Sequence, residues 1–242
     1  MQNRYTGDIG DFGKLGLLRQ LHSGGLSIGI NWYLVPDERH NGDGRLINYL
    51  KNSNFAACDE DLWYSLRGII ENNQRYVSAL ERETILPAKR YSKSLDFSNI
   101  KKSDREYIRV EWHLGAVKAL QGCDLIFVDP DNGLICPSAM NTKKSNKYVL
   151  CEELKDYYKT GASVIYYQHK ARRKDAFYID QHNKLLGNGD FPGATGIGLK
   201  FVTTSLRYYF FIVQPYHREM IYHSVQAMLE TEWKKHFQLL LM

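Results

Sequence analysis

The chain has little cysteine. Its four thiols, Cys58, Cys123, Cys136 and Cys151, are spread over 242 residues with no C-x-x-C spacing. That argues against a disulfide framework and against a zinc site, and it predicts reduced thiols with Cys123 buried beside a core strand. Long apolar runs are also missing, so nothing approaches the roughly 20 residues needed to span a bilayer. The first residues, Met1 to Asp8, lack the apolar centre of a signal peptide, so the sequence predicts a soluble, cytoplasmic protein with no membrane partner. A Walker loop is absent. Lys14 follows Gly13, but Leu15 stands where Ser or Thr is required, which excludes triphosphate binding of that kind. There is no internal repeat, low-complexity tract or linker, so one domain is expected over residues 1–242. A hydrophobic content of 43% is enough for a core and excludes global disorder.

The charge balance is mildly basic, with 32 Lys and Arg against 27 Asp and Glu. That permits a polyanionic partner, RNA or DNA, without requiring one. The cations cluster at Lys143, Lys144 and Lys147 and again at Lys170, Arg172, Arg173 and Lys174. Several of the 17 tyrosines neighbour basic residues, as in Arg90-Tyr91 and Arg207-Tyr208-Tyr209. Rings among cations can stack on bases, although alternate tyrosines in a strand are also ordinary packing.

Glycine recurs every third residue at Gly7, Gly10, Gly13 and Gly16, which lets the backbone approach a ligand closely. Asp11 reads as the N-cap of a helix running to about His22 and closed by Gly24-Gly25. Residues 28–35 read as a strand, followed by a loop with Asp37, His40, Gly42, Asp43 and Gly44, and then a helix from Leu46 to about Lys51. Strand, glycine-containing acidic loop and helix is the opening unit of a nucleotide-binding α/β domain. A helical insertion occupies about 55–120, with a short strand expected within 84–97 and a capping box at Ser103 to Glu106. Beyond it the pattern predicts a helix over 147–159, a strand over 161–168, a helix over 174–186, strands over 199–206 and 208–213, and a last helix over 217–240. The apolar end of that last segment could be a dimer surface, so monomer and homodimer both stay open. Trp32, Trp63, Trp112 and Trp233 read as core anchors and His113 as a packed histidine.

The most informative stretch is Leu125 to Gly133. Four apolar residues, Leu125 to Val128, read as a strand buried on both faces. It ends in Asp129, Pro130, Asp131 and an Asn132-Gly133 turn. Open α/β sheets bind ligands outside the carboxyl ends of such strands. His169 stands at a second such exit.

Leu125 to Pro130 resembles the D-P-P-Y strand of class I S-adenosylmethionine-dependent methyltransferases that act on amino groups. Tyr5 to Lys14 is similar to the N-terminal H-A-G-N-x-A-D-x-x-K element of the J-type adenine-N6 methyltransferases of large-subunit ribosomal RNA. Gly7, Asp11 and Lys14 match, and Asp8 stands in place of Asn. The same stretch also looks like that of a set of bacterial proteins with no assigned activity. The resemblance implies a three-layer, Rossmann-like α/β fold with a mostly parallel sheet, a helical insertion and a C-terminal helix. It implies S-adenosylmethionine as cofactor, with Lys14 on the carboxylate of its methionyl part. Gly7, Asp8, Asp11, Asp37, Gly42 and Gly44 would lie around it. Asp129 and Pro130 would hold the target amine, with Asp131 and Asn132 beside them. His169, Lys170, Arg172 and Arg173 would meet a nucleic-acid substrate, whose base must be flipped or single-stranded.

Two departures stand out. Asp131 replaces the second proline and Asn132 replaces the stacking aromatic, which removes about 1–3 kcal/mol of base binding. Two neighbouring acids suit a metal-dependent nuclease or phosphoesterase, with Asp8, Asp11, Asp37 and His169 as further ligands and Lys14 or Lys170 for phosphate. A third alternative is a non-catalytic binding module on a methyltransferase fold.

Overall fold

The computed structural model describes residues 1–38 and 44–242. It is a three-layer α/β fold built on one seven-stranded sheet in the order β2-β1-β3-β6-β8-β7-β9. The parallel half comprises β1 (Ile28–Asn31), β2 (Ala88–Tyr91), β3 (Leu125–Val128) and β6 (Ser163–His169). The other half, β7 (Thr195–Val202), β8 (Leu206–Val213) and β9 (Phe237–Leu240), is joined antiparallel. A two-stranded ribbon of β4 (Gly133–Leu134) and β5 (Tyr148–Val149) stands apart.

The central strands carry apolar side chains on both faces because helices cover both. Along β3, Leu125 and Phe127 join one core, and Ile126 and Val128 join the other. The first core takes α1 (Ile9–Ser23), α2 (Glu60–Glu71), α3 (Val77–Leu80) and α7 (Arg218–Glu230). The second takes α4 (Arg105–Ala119), α5 (Cys151–Lys159) and α6 (Asp175–Gly187). All four tryptophans are buried, all four cysteines are free, and Cys123 is buried. No described helix is long and apolar enough to cross a membrane.

Helix α1 packs deeply for a reason written in its glycines. A Cβ on Gly13 would meet the Phe201 ring at 2.7 Å, and one on Gly16 would meet the Trp233 indole at 2.2 Å. The glycine period therefore admits the chain's own side chains, where the sequence suggested a ligand. The helix is capped by Asp8, not Asp11: Asp8 Oδ1 accepts from the Gly10 amide at 2.7 Å and the Asp11 amide at 3.2 Å. This is worth about 1 kcal/mol. Other boundaries also move. Strand β1 stops at Asn31, and the expected helix after Leu46 is a single 3-10 turn, Asn48–Lys51. The capping box at Ser103 does not form, since the Ser103 hydroxyl donates to Asp104 instead. The last helix ends at Glu230, and the apolar tail becomes the edge strand β9 beside β7.

One buried histidine makes the fold acid-sensitive. His182 on α6 is fully buried, with Nδ1 2.9 Å from the Tyr166 hydroxyl and Nε2 3.1 Å from the Phe211 carbonyl. Burial pulls its pKa down to about 4 against the pull of that carbonyl. A depressed folded pKa means the stabilisation is complete above the unfolded value near 6.5 and is lost as pH falls through about 4. The expected loss is about 3 kcal/mol over that window. Urea denaturation from pH 7 to 4 should show it in the wild type and not in His182→Phe, which has nothing to titrate. Parallel curves would refute the assignment.

Candidate functional site

The strand order reverses between β1 and β3. After β1 the chain lays β2 on one side, then returns to lay β3 on the other. A crevice opens at such a switch, outside the carboxyl ends of the strands, and it is the usual ligand site of the fold. Here the crevice gathers groups from four distant stretches.

Lys14 comes from the second turn of α1 and Asp129 from the exit of β3. Lys14 Nζ lies 2.5 Å from Asp129 Oδ2 and 3.0 Å from Asp11 Oδ1, with side-chain exposures of 6%, 4% and 1%. The Trp32 ring lies beneath the ammonium at 5.8 Å. Burial alone would lower the Lys14 pKa, but the Asp129 and Asp11 carboxylates more than reverse this and hold it above its ordinary value. Asp11 answers in the opposite sense. Burial pushes its carboxyl up to about 6, although Lys14 opposes the shift. A carboxyl titrating near neutrality in a strand-exit crevice is a marker of functional sites. Asp11 Oδ2 also accepts from the Gly7 amide at 2.8 Å, where Gly7 has a φ of 80° that suits glycine.

The second acid has separate partners. Asp131 Oδ1 pairs with the Met1 α-ammonium at 2.6 Å, and its Oδ2 accepts from Gln2 Nε2 at 2.6 Å. Lys147 stands 3.8 Å away and binds Glu38 at 2.5 Å. Burial would raise the Asp131 pKa, but the α-ammonium, Gln2 and Lys147 hold it below the ordinary range. The same α-ammonium donates to the carbonyls of Tyr33 at 3.1 Å and Asp129 at 2.9 Å. The Met1 thioether lies 3.9 Å from Lys14 Nζ. The carboxylates of Asp129 and Asp131 are thus paired with different cations, Lys14 and the Met1 α-ammonium. Among the described residues, no three His, Cys, Asp or Glu side chains converge as metal donors.

The other predicted residues are placed as follows. Pro130 is buried behind Asp129. Asn132 donates its amide to the Lys147 carbonyl at 3.0 Å, and its own carbonyl accepts from Gln168 Nε2 at 3.0 Å. Asp37 is exposed and accepts from the Arg4 amide at 3.2 Å. Gly44, at φ 81°, packs on the Arg4 carbonyl. Gly42, with His40 and Asp43, lies outside the described residues. At the exit of β6, His169, Arg172 and Arg173 are exposed. Lys170 is tied to Asp175 at 2.8 Å, an acid that Lys200 also binds at 2.5 Å. Arg173 lies 5.4 Å over the ring of Phe177, which is 48% exposed. His113 is buried against Asp156, as a packed histidine.

Four residues escaped the sequence reading. Met1 and Gln2 fill the crevice. Tyr33 takes a positive φ of 44°, uncommon for a non-glycine residue, and presents its carbonyl there. Arg207 is buried, with Nη2 3.8 Å from Asp8 and Nη1 without a hydrogen-bond partner among the described residues. The adjacent cation and tyrosines in Arg207-Tyr208-Tyr209 were the only visible signal for it.

No model of a known protein family matches the chain, and no curated protein matches it. The fold and the crevice define a Rossmann-like α/β protein with a buried ionic cluster at its topological switch.

Proposed function

We propose that the chain is an S-adenosylmethionine-dependent methyltransferase-like protein that binds nucleic acid, with the cofactor in the crevice between β1 and β3. The Lys14–Asp129 ion pair carries the reading. These residues stand 115 positions apart, one in each of the two stretches that resemble methyltransferase motifs. Two unrelated motif matches have no reason to meet at 2.5 Å, whereas parts of one site do.

Met1 offers a test of fit. An α-ammonium on two carbonyls and Asp131 is a group that the methionyl part of the cofactor also carries, and the Met1 side chain fills the space beside Lys14 that the rest of that part would need. The crevice therefore has acceptors and space for that part. In this reading Met1 and Gln2 give way, Lys14 takes the methionyl carboxylate as a charge-assisted pair, and Gly44 and Asp37 lie along the rest. The cofactor supplies an activated methyl group. Asp129, freed from Lys14, accepts a hydrogen bond from the target amine, and Pro130 offers its carbonyl, which is catalysis by positioning. Arg172, Arg173 and the exposed Phe177 ring lie beyond β6 on the same edge, a cation-and-ring surface suited to a single strand.

A non-catalytic binding module is the second reading. It is favoured by Asp131, which departs from the motif and is already neutralised by the chain itself.

Calorimetry with S-adenosylmethionine separates the two. Gln2→Ala removes one bond to Asp131 and should loosen the segment in the crevice, so it should bind the cofactor about tenfold tighter than the wild type. Lys14→Met should abolish binding. Absence of heat in both wild type and Gln2→Ala removes the methyltransferase reading and leaves the binding module.

A further inference from the structure

We infer that the outer face of α4 is a dimer interface, on which a second copy of this chain packs antiparallel. A surface helix ordinarily turns polar residues to water, and α4 does the opposite at the middle of its outer face. Tyr107, Val110 and Leu114 are 69%, 50% and 55% exposed. With the half-buried Val117 they follow the spacing of three, four and three that makes a helix–helix seam. Met140, also 55% exposed, extends the apolar surface sideways beside a concavity of about 480 Å³ that Phe97 and Ile135 line. A contiguous apolar surface of this kind marks a protein contact. No part of the inference depends on the proposed methyltransferase site.

The stripe matches itself, which selects a second copy as the occupant. Trp112 lies midway along it. An antiparallel copy, related by a two-fold axis at that level, sets Val110 against the partner's Leu114 and Tyr107 against the partner's Val117. A partner of another sequence would not require a seam with this symmetry.

The charges agree with the same pairing. Glu111 and Lys118 are exposed, lie seven residues apart on one flank of the stripe, and have no ion-pair partner among the described residues. A two-fold axis keeps that flank of both helices on one side, and side chains lean toward their own N-terminus. Each Glu111 then leans toward the partner's Lys118, which starts about 7.5 Å away along the axis and leans back toward it. Two such pairs form, one at each end of the seam. On the other flank the two copies of Glu106 stand about 18 Å apart along the axis and do not oppose each other. Arg109 is engaged within the chain by Glu153 and the Ser145 and Tyr148 carbonyls, and Asp156 is paired with His113 and Lys159.

Sedimentation equilibrium of the full chain, with no ligand added, tests this. The wild type should dimerise with a Kd of about 100 μM or tighter. Leu114→Glu changes an exposed side chain in the seam, beside the partner's Glu111, and should weaken the dimer at least about tenfold. Glu111→Lys should weaken it about fivefold, because two cations then meet on that flank. Adding Lys118→Glu should bring it back to within about twofold of the wild type, since reversal of both charges rebuilds both pairs. That recovery requires the two positions to face each other across copies. A chain that stays monomeric up to about 1 mM, a dimer that Leu114→Glu leaves unchanged, or a double reversal no tighter than Glu111→Lys alone would overturn the inference. A dimer indifferent to Leu114→Glu would have its contact elsewhere, as at the β9 edge with its exposed Leu239 and Leu241.

Discussion

Lys14→Met is expected to destabilise the folded chain by about 3–5 kcal/mol and to lower its Tm by about 10 °C. Lys14 is 5% exposed, and its ammonium lies between Asp11 and Asp129 at 3.0 and 2.5 Å. Removing it leaves two carboxylates facing each other without water. The pH dependence identifies the cause. Asp11 already titrates near 6 with Lys14 beside it, and it rises further without that cation. A carboxyl whose folded pKa lies above the unfolded value favours the folded state below the unfolded pKa, and the benefit is lost as pH rises through the folded pKa. The deficit of Lys14→Met should therefore be largest in mild alkali and shrink toward about pH 5. Adding Asp129→Asn should restore more than half of the loss at neutral pH, because one of the two unpaired charges is then gone. Urea denaturation at two pH values measures this, and a deficit that is small or independent of pH would contradict it.

The sheet was legible in the sequence where its strands are buried on both faces. Leu125 to Val128 and Val164 to Tyr167 are unbroken apolar runs of the kind a covered strand uses. Strand β2 was legible only as a short strand somewhere within 84–97, because it lies at the sheet edge. Its Ala88-Lys89-Arg90-Tyr91 sequence is half polar, and its place is fixed by backbone bonds to β1. The tail misled for a different reason. Trp233, Phe237 and Leu240 fall at helical spacing, yet Phe237 to Leu240 pair with an open edge of β7 that no local pattern reveals. Asp8 and Asp11 are both acids near the start of α1, and only geometry decides which one caps it.

The site was legible in part for comparable reasons. Asp129 and Lys14 carry chemistry in their side chains and sit in motifs, so residue type pointed to them. Tyr33 and Asp129 also act through backbone carbonyls, which every residue has. Met1 and Gln2 belong to a terminus, a region expected to fray unless tied down. The ties are Asp131 and Glu38, found only once β3 and the segment after β1 are brought together.

Arg109→Met should rival Lys14→Met in cost, at about 3–5 kcal/mol, and should open a different part of the molecule. Arg109 binds Glu153 on α5 and the carbonyls of Ser145 and Tyr148, so one guanidinium fastens α4, α5 and the lysine-rich turn before β5. Without it Glu153 is buried with only the Tyr33 hydroxyl at 3.1 Å and the Leu150 amide at 2.9 Å. Trypsin should then cleave after Lys143 and Lys144 faster than in the wild type. Arg109→Lys restores charge without the fork and should recover only part of the loss. Burial would raise the Glu153 pKa, but Arg109 holds it below the ordinary range in the wild type. In Arg109→Met that restraint is gone, so the deficit should fade as pH falls and Glu153 takes a proton. Glu153→Gln on the same background should behave like that acid limit at every pH. Tyr33 connects this event to the crevice, since its hydroxyl rests on Glu153 while its strained backbone presents a carbonyl to Met1. Release of Glu153 should relax Tyr33 and shift the amide resonances of residues 31–34, measurable by NMR in the variant under conditions where it stays folded. Resonances unchanged at Tyr33 would mean that the crevice is held by β1 and β3 alone.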